Sequence, residues 1–310
     1  MGQIRFRAFK GSDDLPAMVV LARQESDETL HVVDLPYRFS SWAMDNPDGI
    51  GLWVDERDRL VGWAAMQTPF WSIDYVFDRN AGAALHTQII QWADDRAIRL
   101  LETDYGRPIW FINAFAEQTQ RIDELESLGF ASQADVGENS WTKVSMRLDA
   151  DATAPERSVP GGFRIRPLAG AVEVDAYVAL HRAVFNSTSM TAQWRARTLS
   201  QPGYVAELDL VAVAPDGRLA GFCICWLARL PNGETVGQVE PLGVHEDFRA
   251  LGLGRALLLE GLRRLVQHGA TSVLVETDNY RDEAFKLYES AGFRVQKDVL
   301  VFRKDFAPLE

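Results

Sequence analysis

An internal repeat constrains this chain of 310 residues more than any other feature of its sequence. Three short motifs recur in the same order, the first two at an offset of 159 residues and the third at 163. They are Arg5-Phe6-Arg7 with Arg164-Ile165-Arg166, Arg59-Leu60-Val61-Gly62-Trp63 with Arg218-Leu219-Ala220-Gly221-Phe222, and Glu126-Ser127-Leu128-Gly129-Phe130 with Glu289-Ser290-Ala291-Gly292-Phe293. Collinear matches at a nearly constant offset indicate two copies of one fold.

A stretch rich in Ala, Pro and Gly separates the two copies. Residues 149–162 read DADATAPERSVPGG and have no apolar periodicity, which is typical of a linker. We therefore predict a domain at 1–150, a linker at 151–162 and a second domain at 163–310. The length agrees with this division, since 310 residues suit two domains that each bury a core.

The second copy has the clearer pattern of helices and strands. Apolar residues at helical spacing predict helices at 174–185 and 254–269. Two β-rich runs, 208–214 and 219–230, flank the turn sequence Pro215-Asp216-Gly217-Arg218 and predict a hairpin. The full predicted order is β-α-α-β-β-β-α-β-α-β. Hairpin strands followed by a βαβ crossover indicate an α/β (α+β) fold, in which helices flank a mixed, mostly antiparallel central sheet.

The charge is divided unevenly between the copies. The net charge of -12 argues against a general nucleic-acid binder. Residues 1–150 hold -10 of it, from 14 basic and 24 acidic side chains, and the remaining residues hold only -2. Electrostatics therefore favour the second copy as the holder of an anionic ligand. No apolar stretch is long enough to cross a bilayer, so we expect no membrane partner.

The number and spacing of the cysteines indicate which cellular compartment and which metal sites to expect. The chain has two cysteines, Cys223 and Cys225, in one apolar run. No second Cys or His pair stands at zinc spacing, so we expect small core residues and no metal site. Because the sequence shows no disulfide framework and its N-terminus leads into charged residues, we expect a cytoplasmic protein.

The loop from Val244 to Arg255 connects a predicted strand to a predicted helix. Its Gly252 and Gly254 let the backbone approach a ligand, and N–H groups at a helix N-terminus bind anions. A Walker phosphate loop is excluded because Gly-Lys-Ser/Thr is missing. A dinucleotide fingerprint fits poorly, since Leu257 stands where a third small residue is needed. A plain helix start is the remaining alternative.

Two motifs in this region resemble one family. Arg249-x-x-Gly252-x-Gly254 after an apolar strand is similar to the acyl-CoA loop of the GNAT N-acetyltransferase superfamily. That family's second motif resembles the segment of Asn279, Ala284, Tyr288 and Ala291-Gly292-Phe293. The resemblance covers about 163–304, and it implies two tandem GNAT-fold domains with acetyl-CoA as the co-substrate of the second.

The resemblance also implies a role for each matching residue. Backbone N–H groups would hold the pyrophosphate of acetyl-CoA at Arg249, Ala250, Leu251, Gly252, Leu253, Gly254 and Arg255. Leu242 and Val244 would bond the pantetheine arm through their main chains. The Val244 N–H would also stabilise the oxyanion of the reaction. Asn279 would contact the pantetheine or the adjoining helix.

An amine acceptor needs a base, because alkylamines have pKa values of about 10 and are protonated at neutral pH. Strand alternation predicts one shared face for the even-numbered residues 238 to 244, and Glu240 is the candidate base there, directly or through a water. A glutamate paired with a nearby arginine is the alternative interpretation. Tyr288 is the candidate acid for the leaving thiolate, although its helical position also suits a core aromatic.

The first copy lacks these features. Alignment on the Gly-Phe landmarks puts Leu125 opposite Tyr288 and Ala116 opposite Asn279, and a leucine cannot protonate a thiolate. Residues 77–82, before the matching helix, contain one glycine and no R-x-x-G-x-G pattern. We therefore predict a degenerate, non-catalytic first domain.

Together these observations predict an acyl-CoA-dependent N-acetyltransferase that acts by direct attack of a primary amine of a small molecule. We expect neither metal nor nucleic acid as a partner, and a monomer or homodimer. The acidic first half suggests a cationic acceptor. Two alternatives stay open: a non-catalytic acyl-CoA sensor, and a mycothiol synthase-like acetyltransferase, for which Gln238 replaces an expected carboxylate.

Overall fold

The computed structural model describes residues 3–82, 84–134, 142–150, 159, 161–278 and 283–306. The helices and strands up to residue 134 are β1 (Arg5–Ala8), α1 (Leu15–Gln24), α2 (Leu35–Phe39), β2 (Ile50–Val54), β3 (Leu60–Gln67), β4 (Ser72–Phe77), α3 (Ala84–Leu100), β5 (Ile109–Phe115), α4 (Thr119–Ser127) and β6 (Ala131–Ser132). Those that follow are β7 (Thr142–Asp149), β8 (Arg164–Pro167), α5 (Val174–Phe185), α6 (Ala192–Leu199), β9 (Asp209–Val213), β10 (Leu219–Arg229), β11 (Thr235–Val244), α7 (Leu253–Gln267), β12 (Ser272–Asp278), α8 (Glu283–Ser290) and β13 (Arg294–Asp305). Within the described residues, no helix is both long enough and apolar enough to cross a membrane.

The chain forms two compact units, and unit 1 is discontinuous in sequence. Unit 1 comprises Met1–Lys143 and Lys297–Glu310, and unit 2 comprises Val144–Gln296. The sheet of unit 1 runs β1-β2-β3-β4-β5-β13, and its β13 pairs antiparallel with β5 from Val299–Phe115 to Asp305–Ile109. The sheet of unit 2 runs β7-β12-β11-β10-β9-β8.

These boundaries differ from the contiguous domains predicted at 1–150 and 163–310. The last strand of each half completes the sheet of the other unit, so that Phe302 of β13 is buried in the core of unit 1 and Met146 of β7 in the core of unit 2. Sequence pattern does not reveal this exchange, because the alternating apolar residues of a strand fit either core. The predicted linker at 151–162 lies mostly outside the described residues.

The elements of unit 2 follow from its sequence pattern. β9 and β10 form the predicted hairpin, in which the Ala214 N–H donates to the Arg218 carbonyl at 2.9 Å and Gly217 has a φ of 89°. α7 buries Leu262 and Leu265, as its helical period predicts. β8 to β11 pair antiparallel and β11 pairs parallel with β12, so the predicted mixed sheet is confirmed.

Helices pack on both faces of this sheet. α7 covers one face, where a Cβ added to Gly261 would come within 2.8 Å of the Cys225 Sγ. α5 covers the other face, where a Cβ added to Gly243 would come within 2.5 Å of the Val184 Cγ1. Cys223 and Cys225 are buried core residues, as predicted, with their Sγ atoms 3.7 Å apart. The two faces therefore offer different surroundings to the side chains of β11.

Candidate active site

A β-bulge interrupts β11 close to its carboxyl end. Cys225 pairs with Val239 and Cys223 pairs with Leu242, so two steps along β10 match three steps along β11. Paired residues share a face of the sheet, which places Leu242 on the α7 face together with the cysteines. Val244 follows two residues later on the same face, and its Cγ2 would lie 3.7 Å from a Cβ at Gly254 in α7.

The bulge separates the candidate base from these two residues. Gln238 pairs with Trp226 on the α5 face of the sheet. Glu240 and Pro241 stand opposite Ile224, whose side chain points away from the α7 face that its neighbours Cys223 and Cys225 share, so the register puts Glu240 on the α5 face. Burial raises the pKa of Tyr177 on α5, and the charges of Asp209 and Glu240 add to this rise. The prediction that the even-numbered residues 238 to 244 share one face is therefore wrong, because a bulge shifts the alternation by one residue.

The main chains of Leu242 and Val244 are directed away from β10. The His245 N–H donates to the Ala220 carbonyl at 2.9 Å, which identifies these two residues as a hydrogen-bonded pair of the antiparallel ladder. Bonded and non-bonded pairs alternate along such a ladder. Val244, opposite Gly221, and Leu242 therefore point their N–H and C=O groups toward the β12 side.

β11 and β12 stop pairing before they reach this segment. Their parallel register runs from Val236–Ser272 to Gln238–Leu274, and across the described residues of both strands it extends no further. The outward-directed groups that follow in β11 consequently have no ladder partner in β12. Such an open edge can accept an extended ligand as an added strand.

The loop after β11 leads into a helix N-terminus without a side-chain cap. Ala250 and Gly252 have φ values of 59° and 80°, and α7 begins at Leu253. Gly252 is the N-cap residue and makes no side-chain capping bond. A Cβ added there would meet no atom within 4 Å. The first N–H groups and the dipole of this 15-residue helix make its start attractive to an anion.

Two arginines flank the start of α7. The Arg255 Nη1 donates to the Ser290 Oγ at 2.7 Å and joins α7 to the end of α8. The Arg249 Nε donates to the Val244 carbonyl at 3.3 Å. Both guanidinium groups add positive charge near the helix end that already attracts anions. Asn279, the other predicted cofactor-binding residue, lies outside the described residues.

Glu240 and Tyr288 lie on the elements that the sequence predicts for them. Glu240 is half-buried on β11, and its carbonyl accepts a hydrogen bond from the Trp226 Nε1 at 2.7 Å. Tyr288 on α8 is only 6% exposed and packs against Phe293, with the ring centres 5.8 Å apart. This burial is compatible with both interpretations of Tyr288, as an acid and as a core aromatic.

Comparison with known proteins identifies the family. Residues 175–293 match the model of the Acetyltransferase (GNAT) family. The mycothiol acetyltransferase of Acidothermus cellulolyticus is 30% identical over 265 residues, which cover 78% of this chain and 76% of that relative. The chain belongs to the GNAT acetyltransferase family. The mycothiol acetyltransferase of Salinispora tropica is 33% identical over 153 residues, a match that spans 48% of this GNAT protein and about half, 50%, of the relative.

Solved structures extend the likeness over almost the whole GNAT chain. A GCN5-related N-acetyltransferase from Sphaerobacter thermophilus has a TM-score of 0.64 at 19% identity, covering 98% of this chain and 96% of its own. A tandem GNAT protein from the clavulanic acid biosynthesis pathway has a TM-score of 0.65 at 14% identity, covering 99% and 100%. At these identities the comparison shows the fold, and the predicted tandem GNAT fold is confirmed.

Unit 1 of the GNAT protein has different groups at the corresponding strand ends. A cavity of about 380 Å³ lies beside the ends of β4 and α4, and its lining includes His86, Arg121 and Glu124. The Tyr75 hydroxyl lies 2.9 Å from the His86 Nε2, and the His86 Nδ1 bonds Glu124. The Arg121 Nε donates to the Tyr75 hydroxyl at 2.6 Å. Sequence reasoning missed this cluster because its members come from three separate elements.

Sequence reasoning also missed a buried charge layer on the α5 face of unit 2. Arg195 and Asp209 are both 0% exposed and form an ion pair. The Tyr204 hydroxyl donates to Asp209 at 2.7 Å, and the Arg195 guanidinium lies 3.8 Å from the ring centre of Tyr177. Burial raises the pKa of Asp209 in spite of the adjacent Arg195. A single charged residue in a sequence carries no signal that it is buried and paired.

Proposed function

We propose that unit 2 is an N-acetyltransferase that transfers the acetyl group of acetyl-CoA to a primary amine of a small molecule. The observation that carries the proposal is the outward-directed main chain of Leu242 and Val244, which leads directly to the uncapped start of α7. The open edge suits an amide-containing arm and the helix end suits a pyrophosphate. Coenzyme A carries these two groups in the same order.

Acetyl-CoA would supply the activated thioester, and this chain's residues would hold it. In the proposal, the loop from Arg249 to Arg255 binds the pyrophosphate through N–H groups, while Leu242 and Val244 bond the pantetheine arm. The Val244 N–H also donates to the thioester carbonyl oxygen. A donor already fixed in place stabilises the negative charge that develops on this oxygen during attack.

Proton transfers complete the proposed reaction. The ammonium group of the acceptor gives one proton to Glu240, directly or through a water, and its nitrogen attacks the thioester carbon. As the C–S bond breaks, the nitrogen of the tetrahedral intermediate loses one further proton to solvent, because Glu240 already carries the first. Tyr288 gives a proton or a hydrogen bond to the departing thiolate. The products are an amide and coenzyme A.

We assign no catalysis to unit 1. Leu125 is fully buried in α4 and has no proton to give. The cavity of unit 1 is lined by more carboxylates than guanidinium groups, which are those of Glu25, Glu28, Glu117 and Glu124 against Arg79 and Arg121. The negative charges of these carboxylates repel the negative charge of a pyrophosphate, so this lining disfavours pyrophosphate binding. This charge supports the proposal of a degenerate copy.

The acceptor of the mycothiol acetyltransferases is the specific amine to test first. The 265 residues aligned with the Acidothermus cellulolyticus relative exceed the length of either predicted domain, so the similarity is not confined to the cofactor site. Gln238 argues against this acceptor, because a mycothiol synthase-like acetyltransferase is expected to have a carboxylate at this position. We keep it as the second, narrower proposal beside the general amine acetyltransferase.

A thiol-release assay on the full chain tests the function. Acetyl-CoA is supplied with single amines, including the mycothiol precursor, amino sugars, polyamines and neutral amines, and free thiol is measured beside the melting temperature. Acetyl-CoA at 100 times its Kd should stabilise the chain by about 2.7 kcal/mol, and at least one amine should trigger release. No stabilisation would contradict the cofactor site. Stabilisation without release from any amine would favour the sensor.

A further inference from the structure

Trp226 makes the hydrogen bond that fixes the backbone of the candidate base. Its Nε1 donates to the Glu240 carbonyl at 2.7 Å, and the indole is only 1% exposed. Glu240 lies inside the bulge, and the next residue, Pro241, has no N–H to contribute to a ladder. A regular strand would hold this carbonyl through the neighbouring strand. Here a side chain from β10 performs that task.

The indole is itself held by the buried charge layer. The ring centre of Tyr204 lies 6.5 Å from that of Trp226 in an edge-on arrangement. The Tyr204 hydroxyl donates to Asp209 at 2.7 Å, and Asp209 pairs with the buried Arg195. Asp209 and Arg195 are fully buried and Tyr204 is half-buried. A tryptophan packed against a tyrosine that is held in this way has little freedom to change its rotamer. The network therefore fixes the position of the indole N–H.

The same layer faces the Glu240 carboxylate. The Arg195 guanidinium lies over the ring of Tyr177, and Glu240 acts electrostatically on that tyrosine. The side chain of Glu240 thus lies on the α5 face. Its carbonyl accepts the hydrogen bond of Trp226, which packs against Tyr204 of the buried charge layer. Small displacements of a reacting group from its productive position lower the rate strongly.

We propose that Trp226, held by the Tyr204–Asp209–Arg195 network, is a positioning residue for Glu240. The inference rests on the proposed role of Glu240 as the base. It assigns Trp226 no contact with the substrate and no part in proton transfer. Its effect is confined to the position of the Glu240 carboxylate near the carboxyl end of β11.

Trp226→Phe removes the indole N–H and keeps an aromatic ring. We expect kcat to fall about tenfold or more, because the Glu240 carbonyl loses its partner. The KM for acetyl-CoA should stay within about twofold, because the bond from the His245 N–H to the Ala220 carbonyl holds the end of β11 on β10 without the indole. Tyr204→Phe should lower kcat by a smaller factor, again at unchanged KM.

The matched control is Trp63→Phe in unit 1. Trp63 is also 1% exposed, and its Nε1 donates to a backbone carbonyl, that of Met18, at 3.0 Å. Both variants lose a hydrogen bond from an indole N–H to a backbone carbonyl. Their kcat values are compared per folded molecule, beside the decrease in melting temperature that each substitution causes. The Trp63 variant should keep the wild-type kcat. Tyr204→Phe decides the question if Trp226→Phe does not fold.

Three outcomes separate this inference from the function on which it rests. A low kcat in Trp226→Phe at unchanged KM, with normal kcat in Trp63→Phe, supports positioning. Equal kcat values in the two tryptophan variants overturn the positioning role of Trp226. If Glu240→Gln is inactive in the same experiment, the role of Glu240 as the base is retained. Full activity in Glu240→Gln overturns the base role and the positioning role together.

Discussion

Replacing Gly252 with alanine separates backbone strain from ligand binding at the start of α7. Gly252 has a φ of 80°, and a Cβ there would meet no atom within 4 Å. Steric clash is therefore absent from the unliganded protein. The left-handed conformation costs a residue that has a Cβ about 1–2 kcal/mol. In a unit of this size, that cost lowers the melting temperature by roughly 2–8 °C.

The effect on acetyl-CoA should exceed this strain. A hydrogen bond to a charged group contributes about 1.5–3 kcal/mol, and a Cβ at Gly252 would keep a pyrophosphate from close approach to the N–H groups. We expect the Kd for acetyl-CoA to rise about tenfold or more, since 1.4 kcal/mol corresponds to a factor of ten. Isothermal titration measures the Kd, and urea denaturation measures the free energy of unfolding.

Gly217→Ala is the matched control. Gly217 has a φ of 89° in the turn between β9 and β10, and a Cβ there also meets no atom within 4 Å. The two variants should lose the same free energy of unfolding, but only Gly252→Ala should lose acetyl-CoA affinity. Equal acetyl-CoA affinity in the two variants would show that the ligand does not approach the backbone at Gly252.

Two further predictions concern buried groups of unit 2. Burial lowers the pKa of His181 to about 4, against about 6.5 in an unfolded chain, so the unfolded state binds more protons between these values. The free energy of unfolding should therefore fall by up to about 3 kcal/mol as the pH drops from 6.5 toward 4. Urea titrations of His181→Phe should show a flatter pH dependence of this free energy. Identical pH dependence in the variant and the wild type would show that His181 is not the cause. Tyr288→Phe should lower kcat by roughly 100-fold at little change in the KM for acetyl-CoA, measured by thiol release, and an undiminished kcat would leave Tyr288 as a core aromatic only.

Local pattern was sufficient to predict most of unit 2. The turn at Gly217, the apolar row of α7 and the hairpin of β9 and β10 are all specified by residues close together in the sequence. The loop motif from Arg249 to Gly254 placed the helix start within one residue of its observed position at Leu253. These features depend on neighbours a few positions apart, and such neighbours can be read from the sequence.

Features that depend on distant residues could not be predicted. The bulge at Glu240 arises from pairing between two strands, and it reversed the face expected for Leu242 and Val244. The exchange of β7 and β13 between the units depends on which core each strand joins. The bond from Trp226 to Glu240 also requires the register of β10 on β11. Periodicity indicates that a strand has a buried face but does not identify its partner.

The proposed reaction depends on Glu240 as the base that deprotonates the amine, and the kcat of Glu240→Gln measures this role. The full chain is assayed with acetyl-CoA and the amine identified by the acceptor screen, beside Glu289→Gln, which changes an exposed glutamate on α8. We predict a kcat about 100-fold or more below wild type for Glu240→Gln, with an unchanged Kd for acetyl-CoA, and a wild-type kcat for Glu289→Gln. A wild-type kcat in Glu240→Gln would show that Glu240 is not the base.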